Sequence, residues 1–546
     1  VVDLRDAEKA LMETSSAQIH WSPEDQIPWS GVAKTPLLEF IAPRLATGGS
    51  EAAVIFEDGF VLTCEQLKDR AERLAGGLSK EIGPGDRVMI SVGNRSEFLI
   101  AWLAILANRA TAVCVSPRIA SHDATHVVEN SGVVLAIAEP ASADVLEATG
   151  IETLRKVWRV GDPEPDGLVD HYSDHSRIDL ASVEAEFEDL TDIGYTSGTT
   201  GLPKALASTH LDLMRYTDFL FRCFSFRQGD RFLSPLLFHY GDPLWMLMGS
   251  LEVGSPLIVM RKFSVSRFWQ VAREYGVTKL LSIGAIPSLL LTAPESPSDR
   301  EHSVDLAMAV AVPKEQHLEL EERFGFPWIE TYGTSESGPA IAMPIDAASR
   351  YAGSGALGIP VPEVEARLVD ADGEVLEGAA SGELELAGEV LFKSYLNNQE
   401  ATAEVMHDGW YRSGDLMERD ADGVYYFLGR RKELIRRGGE NVAPAEVESV
   451  IRLHPAVIDT AVVPVEDPIR GEEVFAYVQV APGSEVPPLE IFEFCSDRLA
   501  PYKLPRFISF RTEAFPRTPS QRIPKKQLMV DGQHSTEGAW DREHRE

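Results

Sequence analysis

From about Thr35 onward the chain alternates stretches of helical periodicity with short apolar runs, and this alternation limits its fold more than any other feature. Apolar residues at helical spacing run from Cys64 to Leu78; a strand pattern covers Arg87 to Val92, a helix pattern Glu97 to Ala107, and a strand pattern Thr111 to Val115. Strand and helix in turn imply parallel sheets, because consecutive parallel strands need a crossover that carries the chain back to the same end. The pattern restarts with a helix near His210, a strand at Pro256 to Met260, a helix at Val265 to Tyr275, a strand at Lys279 to Ser282 and a helix at Ile286 to Leu291. The expected class is α/β, with two doubly wound α/β subdomains lying side by side in a large N-terminal domain.

With 546 residues the chain is too long for one core. Between about Gly355 and Leu396 the texture changes to short strands separated by turn signals such as Asp370-Ala-Asp-Gly and Gly378-Ala-Ala-Ser-Gly, which predicts a small β subdomain. After Gly429-Arg-Arg-Lys-Glu comes a helix at Ala445 to Leu453, strands near Asp459 to Val465 and Val474 to Val480, and a helix at Leu489 to Leu499, a small α+β C-terminal domain. The expected boundaries are an N-terminal extension 1–34, a large domain 35–430 with its β subdomain at about 355–430, a C-terminal domain 431–530, and a disordered tail 531–546.

The formal net charge of −34 argues against nucleic acid or an anionic membrane surface as the main partner. Cys64, Cys114, Cys223 and Cys495 lack metal-ligand spacing and read as reduced thiols of a cytoplasmic protein. The first residues are charged where a signal peptide is apolar, and the apolar run from Phe98 to Ala107 is too short to cross a bilayer.

The densest chemistry lies in Tyr195-Thr-Ser-Gly-Thr-Thr-Gly-Leu-Pro-Lys204. Gly198 and Gly201 can turn their N–H groups toward an anion, Thr196, Ser197, Thr199 and Thr200 add hydroxyl donors, and Lys204 adds a mobile charge. A short buried strand from Leu190 precedes the run, and a helix capped by Ser208 or Thr209 follows it, so the expected order is strand, loop, helix. The spacing is not that of a Walker A loop.

Three further clusters complete the pattern. Glu330-Thr331-Tyr332-Gly333-Thr334-Ser335-Glu336 sets an aromatic ring, a tight glycine, hydroxyls and a carboxylate side by side; Tyr332 can stack on a base and Glu336 can hold Mg²⁺. Trp410-Tyr-Arg-Ser-Gly-Asp415 ends in an acid suited to two ribose hydroxyls. Leu428-Gly-Arg430-Arg-Lys432 and Arg436-Arg-Gly438-Gly439-Glu-Asn441 add cations and glycines.

Together, in this order, these clusters resemble the adenylate-forming superfamily of acyl-CoA synthetases, nonribosomal adenylation domains and luciferases over roughly residues 35 to 530. Within it the chain looks most like the crotonobetaine/carnitine-CoA ligase group. The resemblance implies that residues 196–204 hold the β- and γ-phosphates of ATP and that Thr196 and Glu336 bind Mg²⁺. It puts Tyr332 at adenine, Ser335 at the α-phosphate, Glu330, Thr331, Gly333 and Thr334 of the same run among the cofactor-binding residues, Asp415 at the ribose, and Arg430 at ribose and phosphate. Lys432 takes the hinge position of a mobile C-terminal domain, and the Gly438-Gly439 loop lines a pantetheine tunnel. The implied reaction makes an acyl-AMP and pyrophosphate from ATP and an acid, then passes the acyl group to CoA, by positioning and electrostatic stabilisation. The implied state is monomer or homodimer.

Two departures stand out. Where the superfamily carries a catalytic lysine near its C-terminus, this chain has Pro516-Arg-Thr-Pro-Ser-Gln-Arg522-Ile-Pro-Lys525, with Arg522 at the lysine position; a guanidinium is a broad fork where an ammonium is a compact charge. Arg522 takes over the lysine's task, or Lys525 or Lys526 reaches the site, or the enzyme activates an unusual oxyanion or serves an unusual acceptor, such as an amine, a carrier-protein thiol, or an arylamine diazotised with nitrite. A catalytically impaired nucleotide-binding protein is the outside alternative. The second departure is Val310-Ala-Val-Pro313, where many members carry a glycine-containing loop near adenine. The acid pocket is expected at Gly284 and at Pro235-Leu-Leu-Phe-His239-Tyr240-Gly-Asp242-Pro-Leu-Trp245, where Asp242 reads either as a helix N-cap or as a receptor for a cationic substrate.

Overall fold

The computed structural model describes residues 19–21 and 35–543, except 175, 197–202, 285, 390, 439, 482, 485, 518–522, 531–535 and 537. A six-stranded sheet runs in the order Lys156–Arg159, Leu135–Ala138, Arg87–Ser91, Thr111–Cys114, Leu190–Thr196 and Lys204–Thr209. Its first five strands are parallel and the sixth is antiparallel. The crossover helix Ser96–Ala107 is buried along its whole length, which is why its sequence is apolar on every face. The next crossover, Ser121–Ser131, ends at Gly132 with φ 63°, a left-handed cap that a Cβ would strain.

The second sheet is not built from one continuous stretch. Its edge is the hairpin Ala52–Phe56 and Val61–Thr63, which precedes every strand of the first sheet in the chain and pairs in parallel with Leu257–Val259. Parallel strands Phe232–Ser234, Lys279–Ile283, Leu306–Val310 and Trp328–Thr334 continue it. At Trp328–Thr334 the pairing becomes antiparallel through Gly338–Ala342 and Ala356–Pro360 into Tyr425–Arg430, Trp410–Arg419, Ala380–Gly388 and Val364–Val369. The expected β subdomain is thus hydrogen-bonded to the second α/β sheet as one continuous ladder.

Beyond Arg430 a separate apolar core forms around Ile435, Val447, Ile451, Val462, Val474 and Ile491. Here Gly471–Val480 pairs with Val457–Asp467 on one side and in parallel with Phe507–Arg511 on the other. The expectation of a disordered tail is corrected: Trp540–Asp541 adds an antiparallel strand against Phe507–Ile508. Trp540 packs at 5.6 Å on Phe492, and the Arg506 guanidinium reaches Asp541 and Asp467, so the tail supplies both an apolar anchor and charge complementary to the sheet edge. Among the described residues no helix is long and apolar enough to cross a membrane, and the four cysteines are buried, none of them in a disulfide.

Candidate active site

The hydroxyl-rich run does not lead directly into a helix. Lys204–Thr209 is a strand that pairs with Leu190–Thr196, Thr196 opposite Lys204, so the run joins the two arms of a hairpin and the expected strand-loop-helix order is corrected. The Lys-Ala-Leu-Ala-Ser-Thr stretch has too little alternation to announce a strand, and its pairing with Leu190–Thr196 decides the matter. Thr209 then caps the helix His210–Cys223 in a reciprocal box with Asp212, as anticipated. Ser197, Gly198, Thr199, Thr200 and Gly201 lie outside the described residues. The hairpin is held from the side: Tyr195 donates its hydroxyl proton to Asn130 at 2.9 Å, and a ring nitrogen of His126 sits 2.9 Å from the Pro203 carbonyl.

Lys204 and Glu336, far apart in sequence, meet across Tyr395. The Lys204 ammonium lies 4.6 Å from the centre of the Tyr395 ring, and the Tyr395 hydroxyl donates to Glu336 at 2.7 Å. Burial, then the Glu336 charge, holds the Tyr395 phenol far above its ordinary pKa, so it stays a donor at any working pH. Nothing in the local sequence marks Tyr395; its role is visible only in three dimensions.

Glu336 stands in a tight turn between strands Trp328–Thr334 and Gly338–Ala342. Thr334 and Ser337 exchange backbone-to-hydroxyl bonds at 3.0 and 3.2 Å, and Ser335 is exposed at the tip. A side chain on Gly333 would place its Cβ 2.3 Å from the Gly338 carbonyl oxygen, and one on Gly338 (φ 59°) would meet the Tyr216 ring at 2.3 Å. Both positions require glycine.

One strand away, Tyr332 donates to Asp415 at 2.7 Å, and Arg430 pairs with the same carboxylate at 3.2 Å. Asp415 and Arg430 are direct cross-strand partners, so the register of the β subdomain sets this pair. Tyr332 and Asp415 are buried.

Glu330 and Thr331 serve the scaffold. Thr331 donates to the Ala309 carbonyl at 3.2 Å, and the buried Glu330 carboxyl accepts the Val312 N–H at 2.8 Å. Burial pushes Glu330 up to about 8, against the opposing pull of the Val312 and Ala311 N–H groups. Ala311 has φ 71°, a left-handed conformation rare for a residue with a Cβ, at the place where the glycine-containing loop was expected. Gly284, φ 64°, donates to the Val310 carbonyl at 3.0 Å and so sits beside the same loop.

The residues expected at the acid pocket fall on the 3₁₀ turn Phe238–Tyr240 and the helix Asp242–Glu252 that follows it, with Gly284 beside the 310–312 loop. His239 lies against Tyr240, ring centres 4.3 Å apart and planes tilted by 36°; both its ring nitrogens are buried without a partner, and burial drops it to about 4, so it is neutral. Asp242 opens the helix Asp242–Glu252, and Trp245 follows one turn later.

Lys432 is exposed in the 3₁₀ turn Arg431–Glu433, between two ion pairs: Arg431 with Glu383 at 2.5 Å, and Glu433 with Lys525 at 3.1 Å. Lys525 also pairs with Glu448 at 2.8 Å. Burial lowers its pKa, but the two carboxylates outweigh that and hold it above its ordinary value. Lys525 is therefore engaged within the C-terminal domain and at the turn. Gly438, φ 58°, donates to the Arg470 carbonyl at 2.8 Å; Gly439 and Arg522 lie outside the described residues.

The family model of the AMP-binding enzyme matches residues 44–396, and that of the AMP-binding enzyme C-terminal domain matches residues 446–522. The chain belongs to the AMP-binding enzyme family. A crotonobetaine/carnitine–CoA ligase of Salmonella enteritidis is 29% identical over 502 residues, covering 88% of this chain and 96% of that one. Among solved structures, ATP-bound MatB from Rhodopseudomonas palustris superposes with a TM-score of 0.80 at 25% identity, covering 91% of this chain and 99% of that one. An o-succinylbenzoate CoA synthetase from Bacillus subtilis, solved with its acyl-adenylate intermediate, gives 0.78 at 26%, covering 90% and 98%. This AMP-binding enzyme is an adenylate-forming ligase of the AMP-producing acid–thiol class.

Proposed function

We propose that the protein uses ATP to adenylate a carboxylic acid and then passes the acyl group to the thiol of CoA. One observation carries the reading: the phosphate-side residues Lys204 and Glu336 and the ribose-side residues Asp415 and Arg430 converge on a single strand-turn unit, residues 330–338. On this reading Thr196, residues 197–201 and Lys204 hold the β- and γ-phosphates. Gly333, Thr334 and Ser335 face the α-phosphate, Tyr332 flanks adenine, and Asp415 takes the ribose hydroxyls. Glu330 and Thr331 act through the 309–312 loop that borders the base.

Among the described residues no group of three His, Cys, Asp or Glu side chains forms a resident metal site. A single carboxylate beside a phosphate loop instead fits Mg²⁺ that arrives with the nucleotide, held by Glu336 and Thr196, where it would neutralise phosphate charge. A carboxylate oxygen attacks the α-phosphorus, and the bond to pyrophosphate breaks, leaving acyl-AMP. Arg522 supplies positive charge on the attacking side. The CoA thiolate then attacks the acyl carbon, and AMP departs with the electron pair of the C–O bond. Residues 431–530 turn about Lys432 between the steps, bringing Gly438 and Gly439 to the pantetheine path. His239, Tyr240, Asp242, Trp245 and Gly284 line the acid pocket; the relatives are named for different acids, so their names choose none. We place the enzyme in the cytoplasm, as a monomer or homodimer.

The test is pyrophosphate exchange into ATP across a panel of acids, followed by AMP release on adding CoA. Exchange dependent on an acid, with AMP release dependent on CoA, is expected. Release driven only by an amine or carrier protein, or exchange supported only by nitrite, would replace the acceptor or the oxyanion. No exchange with any of them would reduce the protein to a nucleotide binder.

A further inference from the structure

The Gly438-Gly439 turn has no side chains with which to hold its place, and a Cβ on Gly438 would meet nothing within 4 Å among the described residues. What fixes the turn comes from the strand beside it. The Gly438 N–H donates to the Arg470 carbonyl at 2.8 Å, and Arg437, just before the turn, pairs across the strands with Gly471. The Arg437 guanidinium donates to Glu473 at 2.6 Å and to the Tyr502 carbonyl at 3.3 Å. The other oxygen of Glu473 accepts from the Arg470 guanidinium. One carboxylate therefore joins the residue that leads into the turn to the residue whose carbonyl holds it.

Glu473 is 0% exposed, and a carboxylate at that depth is costly unless it is paired. Arg437 and Arg470 offset the cost, and the tail extends the arrangement: Glu543 accepts from Arg470 at 2.7 Å, so the charges alternate in sign through Glu543, Arg470, Glu473 and Arg437. Glu543 also lies 3.4 Å from the Arg506 guanidinium, which donates to Asp467 at 2.6 Å. The second Asp467 oxygen accepts the Ile469 and Arg470 N–H groups at 2.9 and 2.7 Å. The turn 467–471 is thus gripped from within by Asp467 and from the tail by Glu543, and it presents the Arg470 carbonyl to Gly438.

We propose that Glu473 is a positioning residue for the second half-reaction: through Arg437 and Arg470 it holds the Gly438 turn where the pantetheine arm of CoA passes, and the C-terminal tail reinforces that hold through Glu543. The proposal rests on the reading above that places Gly438 on the pantetheine path. All four side chains lie in the C-terminal domain or its tail, whereas Lys204, Glu336, Asp415 and Arg430 belong to the large domain, so pyrophosphate exchange should not depend on them.

The experiment uses the full chain and the acid that best supports pyrophosphate exchange, and it measures that exchange and, with CoA varied, AMP release. Glu473→Gln keeps the size of the side chain and removes its charge; it should raise KM for CoA about tenfold, the scale of a hydrogen bond between charged groups, while exchange stays within about twofold of the wild type. Glu543→Gln, at an exposed pair, should raise KM for CoA only about twofold. An unchanged KM for CoA in Glu473→Gln overturns the proposal, and so does an equal loss in exchange and in AMP release, which would mark Glu473 as a residue of general stability. If thermal unfolding shows that Glu473→Gln does not fold, Arg470→Gln, at a partly exposed residue, carries the same test with the same outcomes. CoA-dependent release with unchanged KM overturns this proposal alone. Release that CoA does not stimulate overturns the CoA reading with it, and exchange with no acid overturns acid activation as well.

Discussion

Glu330 gives the structure a pH signature that can be separated from catalysis. Its carboxyl is 4% exposed, has one oxygen on the Val312 N–H and the other without a partner, and is raised from 4.5 to about 8. Between those values the folded protein holds a proton that the unfolded chain releases, so stability falls as pH rises. At pH 5.5 the retained proton stabilises the fold by about 3 kcal/mol, and by pH 8.5 nearly all of that is lost, using 1.36 kcal/mol per pKa unit. Glu330→Gln keeps an acceptor for Val312 and removes the titration. The wild type should therefore lose about 3 kcal/mol more than the variant between pH 5.5 and 8.5, read from paired urea-unfolding curves of the transition that reports the large domain. A wild-type-to-variant difference that stays constant across that range would refute the assignment of Glu330 as a buried acid that is neutral at pH 7.

Three other outcomes follow from the geometry. Tyr395→Phe removes the hydrogen bond to Glu336 while keeping the ring under Lys204, and should slow pyrophosphate exchange roughly tenfold or more, the scale of a hydrogen bond to a charged group, and raise the Mg²⁺ concentration needed for half-maximal exchange. Arg522→Ala should slow adenylation by about 100-fold while slowing thioester formation from supplied acyl-AMP far less; equal slowing in single-turnover measurements would remove Arg522 from the first step. Trp540→Ala should lower the stability of the C-terminal domain by about 1–2 kcal/mol, because Trp540 is half-buried against Phe492, and calorimetry should find that loss confined to the C-terminal transition.

What the sequence disclosed, and what it withheld, depends on how local each signal is. Tyr332, Glu336, Asp415 and Arg430 sit in short runs of unusual composition, which made them candidates, and the structure joins Tyr332 and Arg430 on the Asp415 carboxylate. Tyr395 and Tyr216 are ordinary tyrosines in unremarked segments, and only packing sets one on Glu336 and the other on Gly338. The hairpin at 52–63 could not be assigned to the second sheet from periodicity, since a strand's pattern says which face is buried and not which neighbour it finds. The 204–209 strand was concealed by its alanines, and the 540–541 strand by its brevity and acidic company. Glu330 shared a run with nucleotide-facing residues, yet strand alternation turns its side chain into the scaffold, where it braces the Ala311 loop.

The turn at Lys432 is fastened to a different core on each side. Arg431 is staked to Glu383 of the β subdomain, and Glu433, through Lys525 and Glu448, to the helix Pro444–Arg452 of the C-terminal core. Neighbouring residues are thus tied to different cores, with the exposed Lys432 between them. The rotation proposed above needs new backbone torsions only at this link, so the ion pairs on either side can stay made while it turns.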